Sequence, residues 1–272
     1  MELQNDQGLR LVLDPSSMLD LRGVFVDGVD LSPHRAIPDD GDRRIDHSLE
    51  GFLFTCGPDH IRHPAPIPGG HGARYPLHGS FSGHAAKVIS SSPDECSAVI
   101  DVRHADGGLS RLERRWSLDR QGVVRLCDRL INCGEDAFPA FYMYHMNIAA
   151  RLFDDHVQLE GAMLDKGGFG WRFGAEPGGV FCVPAGPEED GFASIRLGPI
   201  AAIGGKTLLV RFDTATLPHL QIWRNQKAPA DVLGIEPVSH RWVDRPDLEA
   251  AGEFLPLQPG EAREFSLSFA FL

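Results

Sequence analysis

Phe265-Ser266-Leu267-Ser268-Phe269-Ala270-Phe271 runs almost to the end of the chain, and every second residue in it is large and apolar. In an extended strand, successive side chains point to opposite faces. This stretch therefore offers one face of three phenylalanines and a leucine and another of small residues. The same period recurs near the start, where Leu9, Leu11 and Leu13 alternate with Arg10 and Val12. Segments 97-103, 110-118, 122-133, 138-148, 207-213 and 218-224 also read as strands, several of them rich in Val, Ile, Phe and Tyr. Asp106-Gly107-Gly108, between two such runs, is a hairpin signal, and Gln258-Pro259-Gly260-Glu261 is a turn signal before the last strand. No window longer than about a dozen residues carries a helical period. Many short strands punctuated by 30 Gly and 20 Pro make an all-β chain, a sandwich or a barrel.

At 272 residues and 42% hydrophobic content the chain can bury a large core, and it is read as a single domain, 1-272. Formal net charge is -12, which repels phosphate backbones and anionic lipid surfaces; neither a nucleic-acid nor a membrane partner is expected. Cys56, Cys96, Cys127, Cys133 and Cys182 are odd in number and have no CxxC spacing, so they read as buried free thiols of a reducing compartment. The start, Met1 to Asp14, has neither a basic leader nor an apolar run, and no stretch reaches the roughly 18 apolar residues of a membrane helix. A cytoplasmic protein is the expectation.

Two segments resist the strand reading. Residues 32-48 are polar and charged and are taken as a cleft-edge loop. Residues 56-80 are rich in Gly, Pro and His, and long loops in compact domains tend to carry function. Glu236 follows the apolar run Val232-Leu233-Gly234-Ile235 and precedes Pro237. At a strand end facing a cleft, burial raises such a carboxyl toward the range useful to a general base; the plainer alternative is a solvated loop glutamate. His145 lies in Phe141-Tyr142-Met143-Tyr144-His145-Met146-Asn147, where alternation sets it with Phe141, Met143 and Asn147 on one face. That suits a pocket floor, or a core histidine bonded to a carbonyl. His78 precedes Gly79, which lets backbone and ring both approach a ligand, unless it is an ordinary surface histidine. His60, His63, His71, His78 and His84 raise the alternative of a metal-dependent sugar isomerase, but their spacing matches no tight ligand signature. There is no GxSxG elbow and no phosphate-binding GxxxxGK[ST] loop.

Gly51-Phe52-Leu53-Phe54-Thr55-Cys56-Gly57, Tyr75-Pro76-Leu77-His78-Gly79, Tyr144-His145-Met146-Asn147, Gly234-Ile235-Glu236-Pro237 and Leu257-Gln258-Pro259-Gly260-Glu261 occur in that order. In order and spacing, over roughly residues 50 to 272, the chain resembles the aldose 1-epimerase (galactose mutarotase-like) superfamily, in an aldose 1-epimerase-like branch. The resemblance implies a large two-sheet antiparallel β-sandwich with a sugar cleft on one face. It implies an isomerase, a mutarotase of carbohydrate metabolism that needs no cofactor and no metal. Glu236 matches its catalytic base, His145 its acid and His78 its second cleft histidine. The family's asparagine before the first His-Gly is replaced here by the Ala73-Arg74-Tyr75-Pro76 neighbourhood, and its sugar-holding aspartate is matched only by order, to Asp165 or Asp213.

A pyranose offers a face of C–H bonds to an aromatic ring, and Trp223 is the candidate platform, with a core tryptophan as the alternative. Asn147, His240, Arg241 and Arg74 complete the expected substrate contacts. Arg74, Arg62 and Arg241 also bear on substrate class. Two of them pointing into the cleft would indicate an anionic sugar, a sulfosugar, a sugar phosphate or a uronic acid, since guanidinium suits oxyanions by bidentate contact; the alternative is solvent-facing arginines that balance an acidic surface, and a neutral aldose stays open beside the anionic one. A sugar-binding module without turnover on the same fold is the remaining alternative.

Overall fold

The computed structural model describes residues 1–36 and 42–272. Among them, strands build two nine-stranded antiparallel sheets and a two-stranded ribbon, Ala65–Pro66 with Arg74–Tyr75. From edge to edge, the first sheet runs Glu2–Gln4, Leu9–Asp14, Asp20–Val26, Leu53–Cys56, Met143–Ala149, Val232–Val238, His219–Asn225 and Gly178–Pro184, with Val29–Asp30 joined to Asp20–Val26. The second runs Gly168–Gly170, Gln158–Glu160, Phe192–Ile200, Lys206–Asp213, Ala262–Phe271, Val124–Asn132, Leu109–Leu118, Glu95–Arg103 and Lys87–Ser91. The chain is all-β, as its period-two patterning predicts.

Alternation explains how the sheets face each other. In Ala262–Phe271, Phe265, Leu267 and Phe269 are buried while Phe271 packs partly buried at the core's edge. Tyr142 stacks on Phe265 with ring centroids 3.8 Å apart, and Phe52 meets Phe269 at 5.7 Å, so the main core lies between the sheets. Burial of each such side chain contributes about 1.5–3 kcal/mol. One polar knot sits inside this core. Arg114 binds both carboxylate oxygens of Asp128 (2.8 and 2.7 Å), reaches Asp20 at 2.5 Å and donates to Thr55 Oγ1 at 2.6 Å. Tyr142 and Tyr144 donate their hydroxyls to Asp128 at 2.6 and 2.8 Å. Arg114 and Asp128 belong to the second sheet, the other partners to the first sheet or its flank, so the knot ties one sheet to the other.

The opposite face of the first sheet carries a second, smaller apolar cluster of Phe54, Cys56, Phe141, Met143, Val232 and Val238. It is covered by Ile45 and Leu49 of a short helix, α1 (Arg43–Leu49), by Leu248 of a second, α2 (Arg245–Ala250), and by Ile61 from the 57–81 loop. The gap left between these covers is where the cleft lies.

Some sequence expectations change. Residues 32-48 are not a loop throughout, because Asp42 caps α1 by accepting from the Arg44 amide; residues 37–41 of that stretch lie outside the described residues. The strand expected over 138-148 begins at Met143, and Phe138 makes only a bridge to Leu257. All five cysteines are free, but Cys56 and Cys96 alone are buried: Cys182 is half-buried, and Cys127 and Cys133 are exposed, since they fall on the outward positions of their strand and turn. No helix among the described residues is long and apolar enough to cross a membrane.

Candidate active site

Five adjacent strands of the first sheet each contribute one residue to a single row across its outer face. Phe54 pairs with His145, Gln221 pairs with Glu236, and Cys182 pairs with Gln221. Met143 opposite Val238 and Met146 opposite Ile235 set the remaining register, which brings His145 beside Glu236. The alternate residues Tyr144, Met146, Leu233, Ile235, Leu220 and Ile222 point the other way into the main core. Period two thus turns His145, Glu236, Gln221 and Trp223 toward one cleft.

The cleft is a cavity of about 400 Å³ whose lining includes Arg62, His78, His145, Gln221, Trp223 and Glu236. His145 Nε2 and Glu236 Oε1 are 3.3 Å apart, within ion-pair range but not aligned as a hydrogen bond, so Oε1 has no hydrogen-bond partner. The two side chains are 3% and 0% exposed. Gln221 donates its amide to the other carboxylate oxygen, Oε2. Burial raises the Glu236 carboxyl to about 8, opposed by the Gln221 hydrogen bond and the charge of Arg62. Burial lowers the His145 imidazole to about 3. Both groups therefore rest neutral near pH 7, the carboxyl protonated and the imidazole bare. His145 is stacked on Phe54 (4.7 Å) and meets Trp223 and His78 edge-on at 5.5 and 5.2 Å. Three aromatic neighbours fix the plane of its ring.

The 57–81 loop supplies the other wall. His78 donates its backbone N–H to the Arg62 carbonyl (2.7 Å) and accepts from the Gly57 N–H (2.9 Å). Both Arg62 and His78 have left-handed backbones, φ 74° and 60°, a conformation that costs about 1 kcal/mol or more for such residues. Gly79 is required next, because a Cβ there would sit 2.1 Å from the His60 carbonyl oxygen. Burial pushes the His78 imidazole well below its ordinary value, helped by His145 beside it.

Of the residues expected from sequence, Glu236, His145, His78 and Trp223 converge on the cleft. Glu236 differs from expectation in one respect: it lies inside Val232–Val238, not at a strand end. The others go elsewhere. Asn147 is fully buried against the Leu49 and Gly51 carbonyls. Arg74 is exposed and donates to the Pro64 carbonyl from the ribbon. Arg241 points out to Glu253 at 2.8 Å. His240 opens onto a neighbouring cavity of about 420 Å³ and accepts from Arg62 Nη1 at 3.1 Å. Neither Asp165, exposed in a 3-10 turn, nor Asp213, on the second sheet, lines the cleft. The histidines once grouped as metal ligands scatter: His60 bonds to the His63 carbonyl and His84 to that of Phe81. Among the described residues no three His, Cys, Asp or Glu side chains could hold a metal together. Of the three arginines read as bearing on substrate class, Arg62 lines the cleft while Arg74 and Arg241 do not, and Gln221 is the cleft residue that reading by type did not select. The signal for Gln221 was available: it is two residues before Trp223 on one strand and so shares its face.

A family model described as a domain of unknown function (DUF4432) matches residues 1–164 and 180–271. No curated protein matches the sequence. In three dimensions the chain is similar to a Klebsiella pneumoniae protein provisionally assigned as an aldose 1-epimerase (TM-score 0.78, 17% identity, 98% of this chain and 77% of that one). It is also similar to an aldose epimerase homologue from C. elegans (0.69, 15%, 100% and 98%) and to a galactose mutarotase-like protein from Lactobacillus casei (0.69, 13%, 100% and 99%). The fold is galactose mutarotase-like; at these identities the likeness concerns fold alone.

Proposed function

The chain belongs to the DUF4432 family, and from that premise and the cleft we propose that it is a mutarotase, interconverting the α and β anomers of a monosaccharide. The observation that carries the reading is a carboxyl and an imidazole 3.3 Å apart, sealed from bulk water in a cleft with a tryptophan wall.

Anomer exchange needs two proton movements. Glu236, as carboxylate, takes the proton of the anomeric hydroxyl, and His145, as imidazolium, gives one to the ring oxygen. The ring opens to an aldehyde, the C1–C2 bond turns, and closure reverses both transfers. Opening ends with a neutral carboxyl and a neutral imidazole, the state that burial favours for both groups. The starting carboxylate–imidazolium form differs from this resting pair by one proton shifted between Oε1 and Nε2. His78 borders the same space and is suited to hydrogen-bond the ring oxygen or a neighbouring hydroxyl, and Trp223 offers its face to the sugar's C–H groups. Each positioned acid or base is worth about 10²–10⁴-fold.

The test is α/β exchange followed by NMR on glucose, galactose, glucose 6-phosphate and glucuronate, with wild type and Glu236→Gln. The expected result is catalysed exchange of at least one sugar and a loss of about 10²-fold or more in the variant. Exchange at the protein-free rate for every sugar, or an equally active variant, overturns the reading.

A further inference from the structure

Arg62 is the only lysine or arginine among the described residues that line the Glu236 cavity, and it also lines the neighbouring cavity, so it stands in a wall the two share. Its guanidinium is partly buried, and all its hydrogen-bond partners are neutral. Nε donates to Gln221 Oε1 at 3.1 Å, while Nη1 donates to His240 Nε2 at 3.1 Å and to the Arg241 carbonyl at 3.3 Å. Nη2 is shielded from bulk water and has no hydrogen-bond partner. No carboxylate among the described residues lies within ion-pair distance of it. The acid of the cleft, Glu236, is linked to it by hydrogen bonds through the two ends of the Gln221 amide, and beyond those bonds Glu236, and Asp244 of the neighbouring cavity, act on it by charge alone.

This contrasts with Arg114, the buried guanidinium of the core, which carries two aspartates. A desolvated cation is normally paired, and an unsatisfied buried donor is costly. The side chain is nonetheless held by three hydrogen bonds, from a backbone kept at φ 74°, which is more fixing than a solvent-seeking arginine requires. What the guanidinium lacks is an anion in direct contact, and an acceptor at Nη2.

Resting on the mutarotase reading, we propose that Arg62 is a specificity-determining residue that binds an oxyanion substituent, the carboxylate of a uronic acid or the phosphate of a sugar phosphate, on a sugar whose anomeric centre lies at Glu236. Gln221 touches both residues, so anion and reacting centre are one amide side chain apart, within the span of a single pyranose. The flat guanidinium fork suits carboxylate or phosphate oxygens, and the acceptor missing at Nη2 comes from the ligand.

The experiment is titration calorimetry of wild type, Arg62→Gln and Arg62→Lys with three matched pairs: glucuronate with glucose, galacturonate with galactose, and glucose 6-phosphate with glucose. The expected result is that one anionic sugar binds wild type about 10-fold or more tightly than its neutral parent, the scale of a charge-assisted contact. Arg62→Gln abolishes that preference, and Arg62→Lys retains part of it. Which anion wins separates carboxylate from phosphate. Neutral parents binding as tightly as the anions, a preference that survives Arg62→Gln, or no binding by any sugar overturns the inference. The wild-type comparison decides even if a variant fails to fold. Tight anion binding without catalysed exchange keeps the subsite and sinks the mutarotase; exchange confined to neutral sugars does the reverse.

Discussion

Glu236 and His145 are shifted in opposite senses by one cause, the removal of water from a charge. Between about 3 and about 8 the pair holds one proton, the inventory that exchange requires. We expect the rate of anomer exchange to be level across neutral pH and to fall as pH rises through about 8, when that proton is lost. A rate that instead rises through 8 would mean that a carboxylate beside a neutral imidazole is the working form. The same shift has a stability sign. Folding raises the Glu236 carboxyl from 4.5 to about 8, so over that window the native state binds a proton that the unfolded chain has released. Stability from this group is full below about 4.5 and drains as pH climbs to 8, by about 1.4 kcal/mol per pH unit at most. Urea melts of wild type and Glu236→Gln from pH 5 to 9 check this: wild type should lose ground steadily to the variant. A pH-independent difference would place the carboxyl near its ordinary value. His145 runs the other way, costing stability as pH falls from 6.5 toward 3, because the unfolded imidazole takes up a proton that the buried one refuses.

At the scale of elements, the row Phe54, His145, Glu236, Gln221, Cys182 depends on register across five strands. Gly234, two residues before Glu236 on the same strand, crowds that row. A Cβ there would lie 2.5 Å from Glu236 Oε1 and 3.3 Å from Trp223 carbons. Gly234→Ala should therefore displace the carboxyl without unpicking the sheet. Displacements on the ångström scale can cost about 10²-fold in rate. A large fall in kcat with unchanged far-UV circular dichroism is the expected outcome; full activity would mean that the carboxyl has room to spare. His145 was legible in its strand because alternation within Phe141–Asn147 separates cleft face from core face. Asn147 shows the limit of that logic. It shares the face of His145 yet packs against the Leu49 and Gly51 carbonyls, because α1 and its end cover that part of the sheet. Alternation tells which side a residue takes, not what lies over it.

For the whole molecule, the Arg114 knot joins the sheets directly beneath the strand that carries His145, since Tyr144 of that strand and its paired neighbour Thr55 both belong to the knot. Arg114→Met would leave Asp20 and Asp128 buried without their cation. Breaking one side of such a group costs about 3–5 kcal/mol. Urea denaturation should show that loss, whereas a change under about 1 kcal/mol would mean that the aspartates take up protons and tolerate the swap. Its sequence signal lay in plain view: Arg114 stands between Leu112 and Trp116, and Asp128 between Leu126 and Leu130, each on the inward phase of its strand. What could not be read is that the two phases meet, Arg114 opposite Asp128. By itself, the sequence determined the strand period, hence the all-β class, the two faces of each strand, and which residues share a face with His145. These depend on a backbone geometry that repeats every two residues and needs no distant partner. Tertiary structure alone decided that Glu236 lies mid-strand with its proton retained, that Arg74 and Arg241 turn away, and that Arg62 and Gln221 complete the cleft. Those outcomes follow from which strands pair and what covers the sheet, contacts between residues as far apart as Arg62 and Gln221 that no local pattern encodes.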